Sequence, residues 1–260
     1  ALNPSTYVGS GVSQLPRESL IASELVRSSG TEYFILDSNK AFKLNLSEVN
    51  AIGLNPASFT MINGGIANLL ANKVVKLNRV VRVGDTDKIY LIKNGQRYHI
   101  LSPEAVSEQN YKMDEVTKIN SLTASHFPPS AQKVFASGTL IRVNGTKPVY
   151  IINSATTKLY IPTPTYMSSV GFRNSEVINA PASSVGGYNT VASAGFIVRS
   201  ASNSAIWLID SSGIRREIQA PLQGLSGYNL SVGSLPVFTE QMLARFPIKE
   251  KMTLLIQAKG

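Results

Sequence analysis

The sequence predicts a mainly β protein with short helices, a four-bladed β-propeller built from repeats of about 57 residues. Three recurrences carry this reading. Two apolar residues and a basic one return as Leu25-Val26-Arg27, Val80-Val81-Arg82, Leu140-Ile141-Arg142 and Ile197-Val198-Arg199, with the arginines 55, 60 and 57 residues apart. An aromatic inside an apolar run follows each arginine by seven or eight residues: Phe34, Tyr90, Tyr150 and Trp207. Gly53, Asn110, Gly171 and Gly227 close the pattern nine or ten residues after the last strand signal of each repeat.

Each element has a local reason. The run ending in arginine reads as the first strand and the aromatic run as the second. They lead to a hairpin turn at Asp37-Ser38-Asn39, Lys93-Asn94-Gly95, Asn153-Ser154-Ala155 or Ser211-Ser212-Gly213. Asn-Gly and Ser-Gly suit hairpin turns because the turn needs positive φ. A third strand ends at Leu44, Ile100, Ile161 or Ile218. Ser102-Pro103-Glu104 then reads as a helix start, with serine as cap and proline in the first turn; Pro164 and Pro221 repeat it, and the first repeat lacks the proline. The glycines and Asn110 fit a left-handed helix C-cap. A fourth apolar stretch (Val116 to Ile119, Val177 to Ile178) and a loose proline-containing link (Phe127-Pro128-Pro129, Phe246-Pro247) complete the unit.

The expected organisation is an N-terminal arm at 1–24, with a short helix over 18–26 as the competing reading. One repeat domain follows at 25–257, in units 25–79, 80–137, 138–194 and 195–252, with a strand at 253–257 closing a sheet near the N-terminus. A single small sheet cannot bury both faces, so the units must stack. A five-bladed ring using residues 1–24 and an open array within a longer protein are the alternatives.

Composition narrows the function. Hydrophobic residues make up 43% and charged residues 16%, leaving a polar but uncharged surface that fits an extracellular protein. With no cysteine there is neither a disulfide framework nor a thiolate metal site. No apolar run approaches the roughly 18–20 residues of a membrane-spanning helix. The chain opens at Ala1 with no basic-then-apolar leader, which fits a mature secreted chain or an engineered start. The formal charge of +9 points to polyanions. Nucleic acid is not expected as a partner, because the lysines and arginines are spread rather than clustered.

Two sets of basic residues are candidate ligand contacts. Arg27, Arg82, Arg142 and Arg199, if their strand is innermost in each blade, would converge on the axis and hold a sulfate, phosphate or carboxylate; the structural alternative is a tie between neighbouring blades. On the third strand stand Lys43, Arg97 with Tyr98, Lys158 with Tyr160, and Arg215 with Arg216, some of which alternation places on a solvated face. The strand aromatics read as core, with Trp207 the most exposed of them. His99 and His126 have no acids at ligand spacing, and Asp85-Thr86-Asp87 is a fragment of a calcium loop without its remaining ligands, so neither metal nor cofactor is expected. No Gly-x-Ser-x-Gly, phosphate-binding loop or paired carboxylates appear, and no enzymatic activity is expected. Asn45-Leu46-Ser47, Asn144-Gly145-Thr146 and Asn229-Leu230-Ser231 match the glycosylation pattern.

Over residues 25–257 the chain resembles a bacterial repeat of secreted and cell-wall-associated proteins, through Gly138-Thr139-Leu140-Ile141-Arg142, Pro148-Val149-Tyr150-Ile151-Ile152, Lys158-Leu159-Tyr160-Ile161 and Gly171-Phe172 with Glu176-Val177. That resemblance implies a secreted or cell-surface, non-catalytic accessory module and supplies no functional residues; the likeness to the haemopexin propeller is at fold level only. The expected function is a binding module for an anionic glycan, a cell-wall polymer or a surface protein. The alternatives are a self-associating surface-layer component and the targeting domain of a larger wall hydrolase.

Overall fold

The structure, a computed structural model, describes residues 24–28, 31–38, 40–62, 64–71, 73–219 and 231–253. Each sequence repeat builds one five-stranded sheet, four in all. Sheet I comes from β1 (Leu25–Arg27), β2 (Tyr33–Asp37), β3 (Lys40–Leu44), α1 (Leu46–Ile52), β4 (Thr60–Met61), α2 (Gly64–Ala71) and β5 (Val74–Val75). Sheet II follows with β6 (Val80–Val83), β7 (Ile89–Lys93), β8 (Gln96–Ile100), α3 (Pro103–Ser107), β9 (Thr117–Ile119), α4 (Ser121–Ser125) and β10 (Pro129–Val134). Sheet III uses β11 (Leu140–Val143), β12 (Val149–Ile152), β13 (Thr157–Ile161), α5 (Pro164–Ser169), β14 (Ile178–Ala180), α6 (Ala182–Val185) and β15 (Asn189–Ser193). Sheet IV uses β16 (Ile197–Ser200), β17 (Ile206–Ile209), β18 (Arg215–Gln219), β19 (Val237–Phe238), α7 (Glu240–Ala244) and β20 (Ile248–Thr253).

Within every sheet the first three strands form an antiparallel meander. The fourth strand then returns to pair parallel with the first, and the fifth pairs parallel with the third. A parallel return needs a crossover, and two short helices supply it in sheets I to III; in sheet IV the second of them, α7, is described and residues 220–230 lie outside the described residues. This corrects the four-strand unit read from the sequence. The links at Phe127-Pro128 and Phe246-Pro247 lead straight into the fifth strands β10 and β20. Those strands lie on the sheet edge, where proline at position 129 costs no ladder bond and no continuous apolar pattern is required. Thr253 pairs with Gln219 inside sheet IV, so the expected closing strand is in part this fifth strand; residues 254–257 lie outside the described residues. The competing helix over 18–26 gives way at its C-terminal end to β1, and the rest of the arm, like Gly227, is outside the described residues.

The first helix of the first repeat forms without proline because Asn45 and Glu48 make a reciprocal cap, each side chain accepting from the other's backbone N–H at 2.8–2.9 Å. The expected left-handed C-caps are present at Gly53 (φ 79°), Asn110 (φ 63°) and Gly171 (φ 80°).

The chain divides into two compact units, Ala1–Val134 and Phe135–Gly260. In the first, one face of sheet I (Leu25, Ile35, Phe42, Leu44, with Val49 and Ile52 of α1) packs on the opposite face of sheet II (Val81, Ile92, Ile119, with Ala124 and Phe127). In the second unit the same two faces meet: Leu140, Ile151, Leu159, Ile161, Met167 and Val170 of sheet III pack on Val198, Ile209, Phe238, Met242, Leu243 and Phe246 of sheet IV. The back of sheet I (Val26, Phe34, Leu36, Ala41) is covered by its own α2.

Each pair of sheets is joined at the same two points. Gly53 at the end of α1 is seated on the Asn94–Gly95 turn of sheet II, and the Gly95 N–H donates to Ile52 O at 2.8 Å. A Cβ on Gly53 would fall 2.0 Å from Gly95 N. Gly171 and Gly213 make the equivalent seat, where a Cβ on Gly213 would fall 2.8 Å from Val170 O. The second point is polar. Buried Asp37 accepts the Asn120 N–H at 2.8 Å, and Asn153 at the matching place donates to Val237 O at 3.0 Å and accepts from Thr239 N–H at 3.1 Å.

Gly53 and Gly84 offer a controlled comparison. Both have positive φ, which costs alanine about 1 kcal/mol, but Gly84 faces open space. Gly84→Ala should therefore lose only that amount, and Gly53→Ala more than about 3 kcal/mol in urea unfolding, because backbone rather than a flexible side chain blocks the new methyl.

Candidate functional site

One position recurs with a cation in three repeats. The residue opposite the end of the second strand, on the face that carries the second helix, is Ala41, Arg97, Lys158 or Arg215. The second-strand aromatic lies beside it. Arg97 stands 5.7 Å from the Tyr90 ring centroid, Lys158 5.4 Å from Tyr150 and Arg215 4.9 Å from Trp207. These are cation–π distances.

In sheets II and III the cation is committed to the fold. Arg97 Nη1 donates to Ala124 O at 2.5 Å and Phe127 O at 2.6 Å, closing the C-terminal carbonyls of α4. Lys158 Nζ donates to Tyr188 O, and burial pushes its ammonium below the ordinary lysine range. Both are candidates from sequence that the structure places in stitching roles.

Sheet IV differs. The Arg215 guanidinium donates to no acceptor among the described residues, and its Nε and Nη1 are buried, as is the equally unpartnered Nε1 of Trp207. Burial is also the first cause of the lowered Arg215 pKa. The neighbouring acid is Glu240, the first residue of α7, where sheets II and III have Ser121 and Ala182. Its Oε1 accepts from Ser200 Oγ at 2.5 Å and Ser202 Oγ at 2.7 Å. Those hydroxyls, with the field of Arg215 adding to them against burial, hold its carboxyl below the ordinary range. The site thus sets a guanidinium against the indole ring, with unpartnered nitrogens of both side chains buried, beside a carboxylate steadied by two serines.

The other predicted residues are dispersed. Lys43 is paired with Glu32 on the surface, and Arg216 Nε meets Asp210 at 3.4 Å. Tyr98 lies on the opposite face of its strand, and the Tyr160 ring sits 5.9 Å from that of Tyr150. Arg27, Arg82, Arg142 and Arg199 are half-buried on a strand flanked on both sides by partners, so that strand is not the edge of its sheet. Arg142 Nη2 donates to Asn174 Oδ1 at 3.2 Å within its own repeat, while Nε of Arg27, Arg142 and Arg199 is buried without a partner among the described residues. Phe34 is fully buried, and the other strand aromatics pack partly on core. His99 lies 5.4 Å from the Tyr90 ring, its pKa lowered by burial and then by Lys133 and Lys88. Among the described residues no group of three His, Cys, Asp or Glu side chains could hold a metal ion.

No family model matches this chain. No curated protein matches it either. Among solved structures it is similar to a chain of "Structure of the periplasmic assembly from the ESX-5 inner membrane complex, C1 model", at 10% identity and a TM-score of 0.22 over 88% of this chain and 92% of that one. A chain of "Structure of an intact ESX-5 inner membrane complex, Composite C3 model" aligns at 10% identity and a TM-score of 0.21, over 93% of this chain and 60% of that one. At these scores neither likeness bears on fold or role. No helix among the described residues is long and apolar enough to cross a membrane.

The sequence pointed at Arg215, with Trp207 read as core, and did not single out Glu240, Ser200 and Ser202. The available signal was Thr239-Glu240, a helix cap followed by an acid, which reveals itself only once the second helix is recognised.

Glu240 gives the site a pH signature. A carboxyl held low when folded stabilises the fold above its unfolded pKa of about 4.3 and loses that contribution as pH falls through the lower folded value. Wild type should melt above Glu240→Gln at neutral pH, and the gap should close below about pH 4 in differential scanning calorimetry.

Proposed function

We propose that this chain is a non-catalytic extracellular binding module that takes an anionic glycan or cell-wall polymer, with Arg215 and Trp207 of sheet IV as the primary contacts. One observation carries the reading. The same structural position holds a cation in three sheets, and among the described residues only the sheet IV cation is left without a carbonyl to bind. A guanidinium stacked on indole offers a sugar ring an apolar platform and its carboxylate, sulfate or phosphate a planar donor. The overall charge of +9 adds long-range attraction to a polyanion, and that part weakens with salt. The four-bladed ring belongs to this proposal. Its support is that sheet I on II and sheet III on IV dock through the same two faces.

Binding to an acidic polysaccharide such as hyaluronate, followed by calorimetry at low and high salt, tests the proposal. Arg215→Gln and Trp207→Ala should each weaken binding at least about tenfold. Arg215→Gln should leave the melting temperature nearly unchanged, since the side chain makes no hydrogen bond among the described residues. Arg97→Gln should do the opposite, destabilising the fold by about 1–3 kcal/mol through two unpaired carbonyls while sparing affinity. Absence of binding at low salt, or equal binding by the Arg215 and Trp207 variants, overturns the reading.

A further inference from the structure

We propose that Asn144 is a site of spontaneous covalent modification, in which the backbone nitrogen of Gly145 converts the asparagine into aspartate and isoaspartate through a succinimide. The proposal rests on a contrast between two Asn–Gly pairs, each in the turn of an antiparallel hairpin, which the fold treats in opposite ways.

The chemistry has one demanding requirement. The amide nitrogen of the residue after asparagine must lose its proton to solvent base and attack the side-chain Cγ. A new C–N bond closes a five-membered imide, and the side-chain nitrogen leaves as ammonia. Water then opens the imide at either carbonyl, giving aspartate by one route and isoaspartate by the other. Only water is consumed and only ammonia is released, so no oxidant, reductant or cofactor is needed. The nitrogen must be free of hydrogen bonds and reachable, and the following residue must place no Cβ in the path of the closing ring.

Asn144 and Gly145 meet each condition. They lie in the exposed turn between β11 and β12. The Gly145 N–H donates to no acceptor among the described residues, whereas its neighbours are fixed: Asn144 N–H to Ala180 O at 2.9 Å and Thr146 N–H to Val143 O at 3.0 Å. Around Gly145 there is open space, with nothing within 4 Å of where a Cβ would stand. The surrounding turn is thus held in place while the reacting nitrogen is left exposed.

Asn94 and Gly95 carry the same two residues in the turn between β7 and β8. Here the Gly95 N–H is spent on Ile52 O at 2.8 Å, and Gly53 is seated directly against that nitrogen. Attack would require the joint between sheets I and II to open first, a local unfolding event that keeps the reactive form scarce. The third pair, Asn63–Gly64, begins outside the described residues.

Conversion replaces a neutral amide by a carboxylate, lowering the formal charge of +9 by one for each molecule that reacts. Asn144 also heads one of the three glycosylation sequons, and the nitrogen expelled is the one a glycosylating host would use, so the two modifications exclude each other.

The full chain, incubated in mildly alkaline buffer and digested, would be mapped by mass spectrometry, with isoaspartate scored by enzymatic methylation. The peptide carrying Asn144 should convert at least about tenfold faster than that carrying Asn94 in the folded protein. In strong denaturant the two rates should converge, because only the fold separates them. Asn144→Gln should abolish the signal at that peptide, and Gly53→Ala, by forcing the joint apart, should raise the rate at Asn94. Equal rates in the folded chain, or an Asn144 that stays unmodified while the unfolded chain reacts, would overturn the proposal.

Discussion

The arrangement depends on a sheet with two apolar faces and no means of hiding both. Sheets I and III cover one face with their own second helix and turn the other to a neighbour, sheet II or sheet IV, which meets it with the face that carries its second helix. In each half of the chain that neighbour meets it with the same side, so Phe42 and Ile52 lie opposite Ile92 and Phe127 just as Leu159 and Val170 lie opposite Ile209 and Phe246. Burial of side chains this size contributes roughly 1.5–3 kcal/mol each, far more than any polar contact at the joint. The polar contacts instead fix the register. Apolar surfaces slide over one another at little cost, whereas Gly53 seated on Gly95, or Asn153 bonded to both Val237 and Thr239, permits one alignment.

Those registering residues alternate along the chain. The buried pin is Asp37 in the first repeat and Asn153 in the third, while the second has exposed Lys93 at that place and the fourth has Asp210, which meets Arg216 instead. The turn glycine that receives a helix end is Gly95 in the second repeat and Gly213 in the fourth; the first and third have Asn39 and Ala155. The structural period of each joint is therefore two repeats, although the sequence period is one. This matches the division of the chain into two compact units.

Much of this was legible in the sequence. The first three strands, the first helix and its left-handed cap announce themselves through residues that a specific backbone geometry demands: an aromatic in an apolar run, a helix-capping serine before proline, glycine after the last turn. The fifth strand and the second helix did not. Strand β10 reads Pro-Ser-Ala-Gln-Lys-Val and lies on an edge, where one side faces water and no apolar alternation is imposed. Helix α4 has five residues, too few for a periodic stripe, and is marked only by Asn120 as its cap. The roles of Arg97 and Lys158 were hidden for the same reason. Their acceptors are carbonyls at or just beyond the ends of helices that the pattern did not reveal, and backbone carbonyls have no sequence signature.

That hidden partnership sets sheet IV apart from its siblings. A cation over an aromatic ring next to a helix end is first a stitch, because the carbonyls leaving the last helical turn need donors and a buried cation needs acceptors. In sheet IV the aromatic is the larger indole, and the helix begins with Glu240 rather than with a small residue. The carboxylate lies at the N-terminal end of α7, opposite the carbonyl end that Arg97 occupies in α4, and its field draws on the guanidinium from that side. At these two equivalent positions sheet IV differs from sheets II and III, and there the arginine makes no hydrogen bond among the described residues. The scaffold keeps its stability in the apolar faces, on which Trp207 itself packs, and in the glycine seats, which Glu240 does not touch.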